Sequence, residues 1–320
     1  IFVNKKSDIY IYVAVIAGFT FISNISLWFG LHKYIDFPII NNIKPFKDIK
    51  VVLSLFIPTI AIQVYTVLDK TMIGIITQDS FQNGYYEQAG KISRMALMLV
   101  TSLGTVMIPR IGHYFSSGEK KIVNDLMYRS YNFVWFLGIP LCFGLIGIAN
   151  NFVPWFFGES YGQVVNLLRI LSFLILAIGI NNVTGIQYLI PTGRQNIFTK
   201  TVLVGAGINF IANMILIPAF EAEGAAIASV LAETSIAVIQ LIIVKRDIDW
   251  KKIVKLLLKY IIAGIIMLIT LLIMNKCLVP SVIHTFIMII IGIITYVGVL
   301  FIIRDDFLIS NVKHVLKIKN

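Results

Sequence analysis

The stretch VVLSLFIPTIAIQVYTVLDKTMIGII, residues 51–76, decides the fold. It carries no charge until Asp69 and Lys70. Crossing the hydrocarbon core of a bilayer takes roughly 20 apolar residues in helix, and this run is longer. Runs of the same kind occupy 9–31, 92–111, 131–150, 165–190, 198–218, 224–244, 257–275 and 282–303. Open sheets do not cross lipid, and these runs are too long for barrel strands. The expected fold is an all-α polytopic membrane protein with about nine transmembrane helices.

Composition agrees. The chain is 58% hydrophobic and 13% charged, with a mean hydropathy of +0.87, whereas a soluble domain is about 25% charged. The net charge is +11. On a soluble fold that would suggest nucleic acid, but here no basic stripe sits on a soluble domain. Lys and Arg collect instead in cytoplasmic loops that meet anionic membrane lipid. Cys142 and Cys277 lie in or beside apolar runs, lack metal-ligand spacing and read as packing residues. His32, His113, His284 and His314 are scattered, and no phosphate-cradling GxxxxGKS/T loop is present. The expectation is a protein that is not an enzyme, with no catalytic residue, cofactor or metal. No secretory signal is visible, and the chain opens on Ile1 rather than Met, so it reads as a fragment lacking an N-terminal part.

The positive residues sort by loop. Lys33, Lys44, Lys47 and Lys50 lie in 32–50, and Arg110, Lys120, Lys121 and Arg129 lie around 110–130. Arg194 and Lys200 follow, then Lys245, Arg246, Lys251, Lys252, Lys255 and Lys259, then Arg304, Lys313, Lys317 and Lys319 in the tail. The alternate loops 151–164 and 219–223 carry no Lys or Arg. The positive-inside rule puts the first set and the C-terminus in the cytoplasm and residue 1 outside. A cytoplasmic N-terminus would then require an odd number of further spans upstream.

Charges inside spans are costly and normally face a bundle interior or a wet cavity. Asp69 and Lys70 point about 100° apart on a helix, so each needs partners on other helices. The plainer readings are a structural ion pair between helices, or Lys70 snorkelling to the outer surface. Lys70, Lys91, Arg94 and Arg169 all fall in the outer half, against the positive-inside trend. Facing a lumen they would hold a phosphate or pyrophosphate, which Arg grips in bidentate fashion; facing lipid they would be headgroup anchors. Glu233, mid-span, reads as a proton or sodium site or as an interhelical acceptor. Asn209 and Asn213, four apart, share one helix face. With Gln63, Asn181, Asn182 and Gln187 they could line a hydrophilic cavity for sugar hydroxyls, or act as polar glue between helices.

Five stretches considered together carry a resemblance: PTIAIQVYTVLDKTMIGIIT (58–77), NGYYEQAGKI (83–92), MIPRIGHYFSSGEKK (107–121), WFFGESYGQVVNLLRILSF (155–173) and NFIANMILIPAFEAEGAAIASVLAE (209–233). The pattern resembles the O-antigen and capsule repeat-unit (Wzx-type) flippases of the multidrug/oligosaccharidyl-lipid/polysaccharide exporter superfamily, from residue 51 onward. Its markers are Asp69 with Gly74, Gly84-Tyr85-Tyr86, Pro109, Gly158 with Tyr161, and Leu216-Ile217-Pro218 with Glu223-Gly224-Ala225-Ala226.

The resemblance implies two six-helix lobes with two extra C-terminal helices. Residues 1–50 would be the last helix of the first lobe and a cytoplasmic linker, 51–244 the second lobe, and 245–320 a basic linker, the extra pair and a cytoplasmic tail. It implies export of undecaprenyl-pyrophosphate-linked oligosaccharide across the bacterial cytoplasmic membrane for surface polysaccharide synthesis, beside other assembly proteins. Lys70, Arg94, Arg169, Asn181, Asn209 and Asn213 would then bind substrate, and Asp69 and Glu233 would couple an ion. The alternatives are a cation-coupled multidrug exporter of the same superfamily, whose lumen should be acidic and aromatic, and a membrane polysaccharide polymerase or ligase, which should carry a long outer catalytic loop.

Overall fold

The computed structural model describes residues 9–29, 46–47 and 49–315. Most of the basic linker at 32–50, and Lys317 and Lys319 of the tail, lie outside the described residues. The chain divides into two units at Ile49/Lys50. In the first, α1 (Ile9–Phe29) is a single apolar helix over the first expected span.

From there on the described residues are helical, with no strand among them. The helix α2 (Ile49–Thr77) covers the stretch that opened the sequence reading. Next come α3 (Ser80–Thr101) and α4 (Gly104–Ser116), broken at Ser102, whose hydroxyl turns back to the Leu99 carbonyl at 2.8 Å. They are followed by α5 (Lys120–Phe157), then by α6 (Gln163–Leu171), α7 (Phe173–Asn181) and a π-helical segment Asn182–Leu189 in one line. The remainder is α8 (Gln195–Val244), α9 (Trp250–Cys277), α10 (Val282–Ile302) and the short α11 (Asp306–Val315).

Among the described residues, six stretches are long and apolar enough to cross a membrane: Ser80–Ser116, Lys120–Phe157, Gln163–Leu189, Gln195–Val244, Lys251–Cys277 and Val282–Ile302. The sequence reading expected about nine passes of bilayer length. Part of the difference lies in α8, whose backbone leaves the helical region at Glu221 (φ 50°, ψ −129°) and doubles back. A β-carbon on Gly224 would overlap the Leu216 carbonyl, and one on Gly205 would overlap the Ile236 side chain. Two helices can lie this close only where one presents hydrogen in place of a side chain. The expected spans 198–218 and 224–244 are the two arms of this hairpin. The other two expected spans, 9–31 and 51–76, correspond to α1 and α2.

One boundary and one burial differ from expectation. The basic stretch 112–130 is helical apart from Ser117–Glu119, because α5 begins at Lys120 and runs for 38 residues. At 1.5 Å per residue it is about 57 Å long, well beyond a hydrocarbon core of about 30 Å. Cys142 is buried as expected, but Cys277 is exposed at the end of α9.

The core has two clusters. One gathers Tyr131, Ile139, Tyr260, Met267, Leu271 and Met288 where α5, α9 and α10 meet. The other gathers Ile73, Ala89, Leu167, Leu168, Ile217 and Ala225 from α2, α3, α6 and α8. Outward-facing Ile269, Ile273, Ile290 and Ile294 are exposed. A lipid-facing surface is apolar because tails cannot solvate anything else.

Loops that sort together by charge share an end of this second unit. At one end, Gln82 donates to Gln163 at 3.1 Å and to Glu221 at 2.7 Å, and Asn166 donates to Glu223 at 3.1 Å. At the other, Arg194 pairs with Asp247 at 2.5 Å and the Lys252 ammonium lies 4.0 Å above the Tyr128 ring. Asp305, fully buried, pairs with Lys259, accepts from the Tyr260 hydroxyl and caps α11 at the Leu308 amide.

Candidate functional site

Asp69 lies on α2 about 12 Å from its end at Thr77, counting 1.5 Å per residue. Its carboxylate is 2% exposed and surrounded by neutral donors. Asn213 donates to Oδ1 at 2.6 Å, and Ser229 and Tyr86 donate to Oδ2 at 2.7 and 3.0 Å. Asn213 also donates to Asn209 Oδ1 at 3.1 Å, as their spacing of four allows. One turn back on α2, Tyr65 donates its hydroxyl to Glu233 Oε1. The other oxygen of Glu233 accepts from Asn181 at 2.6 Å. The site thus holds two buried carboxylates satisfied by hydroxyls and amides and, among the described residues, paired with no cation. A buried charge without a counter-charge is expensive, which is why such groups exchange protons or metal ions when they remain accessible.

The site is accessible. A cavity of about 140 Å³ is lined by Tyr65, Asp69, Tyr86 and Glu233 and by Ser93 and Arg94 of α3. The buried Ser93 hydroxyl has no hydrogen-bond partner among the described residues.

Beside it, Glu87 gathers three cations. It pairs with Lys70, and its other oxygen lies 3.6 Å from Arg94 and 4.0 Å from Lys91. Lys70 and Asp69 therefore do find partners on other helices, and different ones, because adjacent residues leave a helix about 100° apart.

The predicted site residues divide. Asp69, Asn209 and Asn213 come together, as do Glu233 and Asn181, and Lys70 with Arg94. Arg169, in the last turn of α6, makes no ion pair or hydrogen bond among the described residues and does not join the Glu87 cluster. The amides do not form one lining. Asn182, one residue from Asn181, turns to Gln187 at 2.9 Å, Gln63 is exposed, and Asn209 and Asn213 are fully buried against Asp69.

Sequence reasoning missed Glu87, Tyr65, Ser93 and Ser229, and quoted Tyr86 without giving it a role. Glu87 was detectable: with Lys91 at i+4 and Arg94 at i+7 it shares one face of α3. Tyr65 lies four before Asp69 on the same face of α2.

Six stretches long and apolar enough to cross a membrane, with buried ionisable groups beside a cavity, define a multi-pass membrane protein by class. The chain belongs to the family described as lipid II flippase MurJ, which it matches over residues 1–298. It resembles the solved lipid II flippase MurJ in its inward closed conformation, with a TM-score of 0.68 at 19% identity over 89% of this chain and 61% of that one. Over 168 residues it is 23% identical to the probable low-salt glycan biosynthesis flippase Agl15 of Haloferax volcanii, covering 52% of this chain and 35% of that protein. Over 203 residues it is 28% identical to the capsular polysaccharide biosynthesis protein CapF of Staphylococcus aureus, covering 60% of this chain and 48% of that protein. The chain thus spans between a third and a half of the length of these curated relatives.

Proposed function

We propose that this chain is part of a flippase that carries a lipid-linked oligosaccharide diphosphate across the bacterial cytoplasmic membrane for surface polysaccharide assembly, transporting its substrate without chemical change. The observation that carries this reading is the cluster of Lys70, Lys91 and Arg94 about Glu87, which places three partly exposed cations against one acid at the edge of an apolar bundle. A charged, hydroxyl-rich headgroup cannot cross hydrocarbon unaided. Cations at a cavity replace its hydration while the lipid tail stays in the bilayer.

In this reading Lys70, Arg94 and Arg169 bind the diphosphate and Asn181 supports Glu233. Asn209 and Asn213 act through Asp69 rather than on sugar, since their burial leaves them no access to it. Asp69 and Glu233 form the ion-coupling pair. Residues 51–244 make one six-helix lobe of a two-lobe transporter, 1–50 belong to the lobe before it, and 245–320 add the outer helix pair. The C-terminus is cytoplasmic, and membrane lipids and other assembly proteins are the neighbours.

The test is genetic. Deleting the full-length gene should make lipid-linked oligosaccharide accumulate on the inner leaflet while surface polysaccharide disappears, and re-expression should reverse both. Lys70→Gln and Arg94→Gln should fail to rescue at normal membrane abundance. Undiminished surface polysaccharide in a strain with no second flippase would reject the reading.

A further inference from the structure

We propose that Glu87 is a built-in competitor of the diphosphate, an internal anion that occupies the cations when substrate is absent and sets how readily substrate leaves. The inference rests on reading Lys70 and Arg94 as the diphosphate cations.

The geometry is that of a placeholder. Lys70, Lys91 and Arg94 face one carboxylate, so two positive charges are left unbalanced. Only Lys70 is in direct contact; Arg94 and Lys91 stand off at 3.6 and 4.0 Å. Neither makes a hydrogen bond to any described residue, so the Arg94 fork and the Lys91 ammonium keep their donors uncommitted. The neighbouring acids cannot take over from Glu87: Asp69 is filled by Asn213, Ser229 and Tyr86, and Glu233 by Tyr65 and Asn181.

One carboxylate has two oxygens for three cations. A diphosphate joined at both ends, to a lipid and to a sugar, has four free oxygens and two negative charges, enough to engage all three cations at once. Glu87 is itself only partly buried, with 29% of its side chain exposed, so it can turn aside. A cluster without an internal anion would hold a diphosphate and release it slowly. With Glu87 present, the departing phosphate is replaced as it leaves.

The test measures inorganic pyrophosphate binding to the full-length protein in detergent, by calorimetry, for the wild type, Glu87→Gln, Lys70→Gln and Arg94→Gln. Charges this exposed couple weakly one by one, so removing the competitor should tighten binding about fivefold to tenfold while the cation variants weaken it by a similar factor. Weaker binding in Glu87→Gln, alongside weaker binding in the cation variants, would show that Glu87 only props the cations in place; the inference would fail and the diphosphate reading would stand. Equal binding in all four proteins would overturn both. If Glu87→Gln does not fold, Glu87→Asp takes its place. It keeps the charge but draws it back from the cations, and should tighten binding by a smaller factor; unchanged or weaker binding would overturn the inference.

Discussion

Asn213 donates to the Asp69 carboxylate at 2.6 Å across 144 positions of sequence, joining α8 to α2 around a side chain that is 2% exposed. Ser229 and Tyr86 complete the set on the other oxygen. Three donors depend on one side chain, so deleting the acceptor costs more than any single hydrogen bond.

Asp69→Ala should therefore destabilise the full-length protein by about 3 kcal/mol or more, since each stranded buried donor costs about 1–3 kcal/mol. Ser229→Ala removes one of several donors and should cost about 1 kcal/mol. Thermal unfolding in detergent reads both. Equal midpoints for the two variants would contradict the shared-acceptor geometry.

The α8 hairpin makes a contrast between two glycines. Gly224→Ala drives a methyl into the Leu216 carbonyl and should cost about 1–3 kcal/mol, as overpacking does. A β-carbon at Gly207 meets nothing within 4 Å. Gly207→Ala should be neutral or stabilising by up to about 1 kcal/mol, because alanine is the better helix former. Comparable losses in both would mean the hairpin is not tightly closed.

The two cysteines test orientation. Cys142 is buried and Cys277 is exposed at the end of α9. With the C-terminus in the cytoplasm, Cys277 lies outside. A membrane-impermeant maleimide should label intact cells at Cys277 and leave Cys142 unmodified. Labelling of Cys277 only after lysis would invert the proposed topology.

Asp305 holds α11 to the bundle through Lys259, Tyr260 and the Leu308 amide. Asp305→Ala leaves Lys259 without its partner and α11 without its cap, a loss of about 3–5 kcal/mol for a buried pair broken on one side. Limited proteolysis should then cut near 306–315 before any other helix. A cleavage pattern like that of the wild type would show that α11 is held by other means.

The bundle was legible in the sequence because lipid imposes one rule on every spanning segment: runs such as 257–275 and 282–303 have no reading other than helix. The α8 hairpin was legible through Pro218 and the polar Glu221 and Glu223 that interrupt its apolar run. The start of α5 was not, because Lys120, Lys121 and Asp125 look like loop when hydropathy is the only guide, and a helix extending into water carries such residues freely. Of the site, the face shared by Asn209 and Asn213 could be read from their spacing, but not that it points at Asp69, which depends on how α8 packs against α2. Asn181 and Asn182 look equivalent in sequence, yet one residue of helical rotation sends them to different partners. Glu87 was visible in the sequence, with Lys91 and Arg94 at helical spacing on the same face.

Tyr65 meets Glu233 and Asp69 meets Ser229, each pair one turn from the other along two helices running in opposite directions. Such rungs act as a ratchet lock. Sliding α2 by one turn, about 5.4 Å, would shear both rungs at once, and each is a hydrogen bond to a charged group worth about 1.5–3 kcal/mol. The two helices must therefore travel together as a stiff spar, and any rocking of this bundle has to be taken up at joints outside that pair.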